Sequence, residues 1–167
     1  MEPIEVRFQY TEKEYIQASR KYMFMSKLLK KSDIILPIVL LPTSVLYMFL
    51  TEFDVLSIVL CVCAVVYLMI IATLYYLIPK VSYKQNAKYQ EEYYLSFSEE
   101  GIKFRTNTIN SDLQWEVYKK LLENEEYFYL CQNKQIYSVI PKRAFQGEET
   151  MLQFKELALE KVSAVRQ

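Results

Sequence analysis

A chain of 167 residues holds one modest domain plus a membrane segment, and not two full domains with a membrane segment besides. Twenty basic residues balance twenty acidic ones, so no bulk field argues for a nucleic-acid partner. Histidine, the commonest acid–base catalyst and metal ligand, is missing, and two glycines, Gly101 and Gly147, cannot form a phosphate-cradling loop, so neither an enzyme, a metal nor a cofactor is expected.

Ile4, Val6 and Phe8 alternate with Glu5, Arg7 and Gln9, the period-two pattern of a half-buried strand that needs a sheet to join. Thr11-Glu12-Lys13-Glu14 has the form of a capping box, flanked by Tyr10 and Tyr15 as a hydrophobic staple. A helix is therefore predicted from near Glu12 to about Lys31.

Ile34 to Leu50 and Val55 to Ile78 carry no charge. At 1.5 Å per residue these runs reach roughly 25 and 36 Å, which brackets the approximately 30 Å hydrocarbon thickness of a bilayer. Thr51-Glu52-Phe53-Asp54 between them is a tight acidic turn. The pattern predicts a transmembrane hairpin over 34–78, with spans 34–50 and 55–78. Pro42 falls inside the first span, where a kink is expected and where Thr43 and Ser44 can re-satisfy freed carbonyls. Tyr47, Tyr75 and Tyr76 near the span ends read as interfacial anchors. Cys61 and Cys63 lie about 200° apart around the second helix, so they cannot grip one ion; with Cys131 they read as small apolar fillers.

Arg20, Lys21, Lys27, Lys30 and Lys31 precede the first span, Lys80, Lys84 and Lys88 follow the second, and the turn has no basic residue. The positive-inside rule then predicts a multi-pass protein of the cell membrane with both termini cytoplasmic and these eight side chains at the membrane surface. The bilayer, including its anionic lipids, is the expected partner, since each base near an anionic leaflet contributes about 1 kcal/mol. Residues 1–33 form a cytoplasmic strand and helix, and 79–167 a cytoplasmic α+β domain.

Tyr83 to Glu92 is polar and helix-prone. Tyr93, Leu95 and Phe97, a Glu99-Glu100-Gly101 turn, then Ile102, Phe104 and Thr106 predict a β-hairpin. Asn107 to Asp112 reads as a polar connection, Leu113 to Leu122 as a mixed segment, and Asn124-Glu125 as a turn. Glu126 to Cys131 and Gln135 to Ile140 pair across Gln132-Asn133-Lys134. The chain closes on a helix begun by Glu148 and Glu149, with Met151, Phe154, Leu157, Ala158, Val162 and Val165 on its apolar face. One antiparallel sheet of four or five strands with a capping helix is expected, and the first strand must pair with or pack on it. The hairpin is thus an insertion within a domain.

Several segments carry a family resemblance: the strand pair around Glu100-Gly101, Leu113-Gln114-Trp115, Tyr127-Phe128-Tyr129-Leu130, and Ile140-Pro141-Lys142-Arg143-Ala144-Phe145 ahead of the terminal helix. The run from about Tyr94 to Val162 resembles the bacterial YcxB-like proteins, as does the order of parts. Gln114 departs from that pattern, where family members often have proline. The resemblance implies a small membrane protein with a pleckstrin-homology-like domain, and no activity.

The acidic pairs Glu91-Glu92, Glu99-Glu100, Glu125-Glu126 and Glu148-Glu149 stand at turns and helix ends, where neighbours in sequence point apart, so they read as solvated surface. Trp115 suits a binding platform or the core, and Lys142 with Arg143 suits a phosphate or acidic partner or a solvated turn. These three are the candidate binding residues. The reading is a membrane-anchored, non-enzymatic binding protein with a protein partner the residues do not identify. The alternatives are an immunity or accessory protein for a membrane-targeting toxin or secretion system, and a membrane-linked hydrolase, which the residue counts disfavour.

Overall fold

A computed structural model describes residues 3–164, with side chains to 162. It is an α+β structure with two small antiparallel sheets, and the chain divides into two compact units: residues up to Ala18 together with those from Gln85 onward, and Ser19–Lys84.

In the first unit, β1 (Ile4–Gln9) keeps the predicted alternation, with Ile4, Val6 and Phe8 buried. It pairs antiparallel with β2 (Glu92–Phe97), from Ile4 opposite Phe97 to Gln9 opposite Glu92. A strand legible in the first ten residues thus joins one more than eighty residues later. β3 (Ile102–Arg105) and β4 (Asn110–Leu113) complete a sheet in the order β1-β2-β3-β4. At the β2–β3 turn a Cβ on Gly101 would lie 2.7 Å from the Leu113 carbonyl oxygen, so only glycine fits.

A second sheet follows, β5 (Lys120–Glu123), β6 (Tyr127–Cys131) and β7 (Tyr137–Pro141), in that order. Among the described residues the expected single sheet is therefore two, with seven strands. β4 falls largely in the predicted polar connection and β5 largely in the mixed segment, because neither carries apolar alternation: each is four residues long, pairs with one neighbour and has no buried residue. The two predicted turns do form. Asn124 Oδ1 accepts the N–H groups of Glu126 and Tyr127, and Asn133 Oδ1 those of Gln135 and Ile136.

Every residue of the central strand β6 is buried. Tyr129 sends its hydroxyl to the Ala18 carbonyl of α1 (Glu12–Met25) at 3.0 Å, while Phe128 faces α5 (Glu148–Ala164). From α5, Phe154 reaches Phe97 of β2 (4.6 Å between ring centroids), Phe128 of β6 (5.2 Å) and Phe145 (5.1 Å). One wholly buried ring closes both sheets. Leu157, Ala158 and Val162 extend that face as predicted; Val165 lies outside the described residues.

α1 starts where the capping box places it. Thr11 Oγ1 accepts the Glu14 N–H at 3.2 Å, and the Tyr10 and Tyr15 rings meet edge to face. It ends at Met25 rather than near Lys31, because Lys27 takes the left-handed conformation (φ 60°) and the Leu29 N–H turns back to the Met23 carbonyl.

The second unit contains the hairpin. α2 (Lys31–Leu50) runs unbroken through Pro37 and Pro42, with the Thr43 hydroxyl bonding the Val39 and Leu40 carbonyls and that of Ser44 the Leu41 carbonyl. α3 (Val55–Ala72) leads into a π-helical turn (Thr73–Leu77) and then α4 (Ile78–Gln85). The helical run therefore passes beyond Ile78, and the polar exit segment is divided among α4, a 3₁₀ turn (Ala87–Gln90) and β2. α2 and α3 pack against each other through small residues seven apart, Pro37 and Ser44 on one, Ser57 and Ala64 on the other. α2 and the continuous helical run Val55–Gln85 are long and apolar enough to cross a membrane, and only 11% of the most apolar stretch of each is buried.

Candidate functional site

Of the predicted binding residues, Trp115 is part of the core. It is 3% exposed, its ring lies 6.2 Å from Phe97, and its indole N–H donates to the Ser98 carbonyl at 2.8 Å. That bond ties the turn after β4 to the end of β2.

Lys142 and Arg143 occupy a 3₁₀ turn after β7, and both charges are paired within the first unit. Lys142 Nζ lies 2.7 Å from Glu123 and 4.8 Å over the Phe128 ring. Lys155 takes the other Glu123 oxygen at 2.6 Å. Partial burial pushes the Glu123 carboxyl up, but the two ammonium groups hold it, on balance, below its ordinary value. Arg143 grips Glu14 with both arms of its fork, at 2.7 and 2.6 Å, and donates to the Gln9 carbonyl at 2.9 Å. Lys142 joins the segment after β7 to β5, and Arg143 joins it to the start of α1 and the end of β1.

The pair Glu91-Glu92 is likewise occupied. Glu92 accepts both arms of the Arg7 guanidinium, at 2.5 and 2.8 Å, and the Tyr94 hydroxyl at 2.8 Å. These donors hold its carboxyl down at about 2. Glu91, beside the hydroxyls of Thr106 and Thr108, is also lowered.

The basic end of the hairpin is different. Charge is unevenly shared: Ser19–Lys84 contains seven basic and three acidic residues, a net of +4 inside a chain of net zero. Glu52 and Asp54 stand in the α2–α3 turn, and Asp33 spends its carboxylate on the Lys30 N–H (2.9 Å) and the Ser32 hydroxyl. Lys27, Lys30, Lys31, Lys80 and Lys84 are exposed, as is Lys88 in the other unit, and Lys21 is half-buried.

Arg20 is half-buried and has a defined seat. Its Nε–H donates to the Tyr75 carbonyl at 3.1 Å, and its guanidinium carbon lies 4.7 Å from the Tyr75 ring and 5.0 Å from the Tyr76 ring. Pro79, four residues after Tyr75, has no N–H to offer that carbonyl, and the helix widens to its π turn just ahead of the proline. Phe24 closes one side at 6.1 Å from the Tyr75 ring. The anchors Tyr75 and Tyr76 and the surface base Arg20, predicted separately, thus form one cluster. No spacing in the sequence connects Arg20 with Tyr75; Pro79 marks only a local irregularity of the helix there.

No curated protein and no solved structure matches the chain. The resemblance carried by the strand and turn segments holds from the last residue of β2 into α5: residues 97–158 match the family described as YcxB-like protein, and this part of the chain is YcxB-like.

Proposed function

We propose that this chain is a membrane-anchored, non-enzymatic binding protein whose hairpin crosses the bilayer with its basic ends at the cytoplasmic face. The observation that carries the reading is the exposure of α2 and of the helical run Val55–Gln85: each leaves nearly nine-tenths of its most apolar stretch uncovered, which a water-soluble fold would bury. The distribution of charge supports the orientation. The sheet-and-helix domain is read as pleckstrin-homology-like, on the strength of its four- and three-stranded sheets, its C-terminal helix and its YcxB-like segment. Its binding surface lies on loops or a sheet edge. Fractionation tests the anchor: the chain stays with membranes after alkaline carbonate washing and leaves only with detergent, whereas release by carbonate alone refutes it.

A second reading, an immunity or accessory protein acting through the hairpin, is favoured by one feature. Val66, Met69, Ile70, Thr73 and Leu74 line an open apolar groove of about 280 Å³ along α3 and the π turn. Replacing the two spans by unrelated ones abolishes function on this reading and leaves partner binding by the domain intact on the first.

A further inference from the structure

We propose that Arg20, with Tyr75 and Tyr76, seats the phosphate of an anionic phospholipid headgroup at the basic end of the hairpin. The inference rests on the membrane reading above and assigns a residue-specific site within it.

A guanidinium carries five N–H donors in a planar fork. In Arg20 one of them is engaged by the Tyr75 carbonyl, and among the described residues the terminal nitrogens meet no acceptor and no carboxylate. The contrast with Arg7 and Arg143, each held by a two-armed carboxylate contact, is direct. Nor does the second unit have a carboxylate to spare: Asp33 is occupied, and Glu52 and Asp54 are in the turn at the opposite ends of α2 and α3. A half-buried cation between two aromatic rings, without a counter-charge from the protein, needs one from its surroundings.

The carbonyl contact and the rings orient the fork as well as shelter it. With Nε fixed on the Tyr75 carbonyl and the guanidinium carbon within 5.0 Å of both ring centres, the side chain loses little further freedom on binding. A guanidinium fork matches two oxygens of a tetrahedral phosphate. The location also fits, because Tyr75 and Tyr76 stand at the end of the uncharged run, where a bilayer passes from hydrocarbon to headgroups. A lipid phosphate is present there at high local concentration, and a free phosphate ion is not.

Full-length chain, extracted with its hairpin in a mild detergent and stripped of native lipid, is offered equal amounts of phosphatidylglycerol and phosphatidylcholine, and bound lipid is counted by native mass spectrometry. Wild type is expected to retain phosphatidylglycerol over phosphatidylcholine by about fivefold, the equivalent of roughly 1 kcal/mol. Arg20→Ala brings the ratio close to one. Arg20→Lys, which keeps the charge and loses the fork, falls between, and decides the matter if the alanine variant does not fold. The double variant Lys30→Ala/Lys31→Ala, which removes more charge from the same end of the hairpin, lowers the ratio by less than Arg20→Ala does. Equal retention of both lipids by wild type overturns the proposal, as does an unchanged ratio in both Arg20 variants. A loss in Lys30→Ala/Lys31→Ala as large as in Arg20→Ala overturns it in favour of diffuse charge. Displacement of the bound lipid by millimolar inorganic phosphate overturns the lipid source in favour of a free anion. Recovery of the chain from cells without detergent instead refutes the membrane reading itself.

Discussion

Arg20 donates from Nε to the carbonyl of Tyr75 across 55 positions of sequence, and it does so at the carbonyl for which Pro79 has no N–H. A proline in a helix ordinarily leaves that oxygen to water. Here a side chain from α1 takes it, and the π turn opens the helix surface ahead of it.

That bond predicts a coupling between Arg20 and Pro79, two residues that never bond each other. Arg20→Met should cost about 1–2 kcal/mol in the natural chain, and clearly less in a Pro79→Ala background, where position 79 gains a backbone N–H that can compete for the Tyr75 carbonyl. A double-mutant cycle by denaturant titration in micelles measures it. Strict additivity would show that the absence of a donor at Pro79 has no part in the contact.

The two-armed contact of Arg143 with Glu14 joins the segment after β7 to the first turn of α1. Glu14 is sheltered at 15% side-chain exposure but Arg143 is 53% exposed, so solvent screens the pair in part and its two-armed geometry and the added Gln9 bond set its strength. Arg143→Met is expected to lower stability by about 1–3 kcal/mol. Arg143→Lys should recover only part of this, since lysine cannot reproduce the fork or the added bond to Gln9. Equal stability of all three proteins would place the pair among contacts that contribute nothing.

Glu92 gives a pH signature. Its carboxyl is held at about 2, first by the hydrogen bonds from Arg7 and then by that from Tyr94, against an ordinary value of 4.5. A lowered folded-state pKa means that the stabilisation is complete above about pH 4.5 and is lost as pH falls toward 2. Glu91, also lowered, acts in the same direction. Glu92→Gln should flatten the acid limb of the stability curve and leave it nearly unchanged at neutral pH apart from a constant offset. An acid limb as steep as wild type's would assign the loss to other carboxylates.

Phe154 is the ring on which both sheets converge, and Phe154→Ala should cost about 3–5 kcal/mol. Trp115, the one tryptophan and buried, reports the transition: its emission should be blue-shifted in the native chain and move to the red at lower denaturant in the variant. The same probe tests β1. A chain without residues 1–31 loses the six-residue pairing with β2 and should unfold earlier than the full chain. An undiminished transition would make β1 dispensable.

What is legible in the residues alone follows a physical line. Ile4, Val6 and Phe8 announce a strand because burial on one face leaves a period of two, and Thr11 with Glu14 announces a helix start because the bond that caps it is local. The apolar runs of the hairpin are equally visible. β4 and β5 are not, since each is four residues long, has no buried residue and no apolar alternation, and is held by its neighbour's ladder. The break between two sheets falls at Trp115–Val117, whose role in the core depends on Ser98 and Phe97. The partners of the candidate site residues are hidden for the same reason. Glu14 is 129 positions from Arg143 and Tyr75 is 55 from Arg20, and no periodicity connects them.

The central claim is that α2 and α3 span a membrane with their connecting turn on the far side. Single cysteines at Glu52 and at Lys30, in a chain whose Cys61, Cys63 and Cys131 are replaced by alanine, test it with a membrane-impermeant maleimide on intact cells. Glu52→Cys should be labelled from outside, and Lys30→Cys only after the cells are opened. Labelling of Lys30→Cys in intact cells, or protection of Glu52→Cys there, would contradict it.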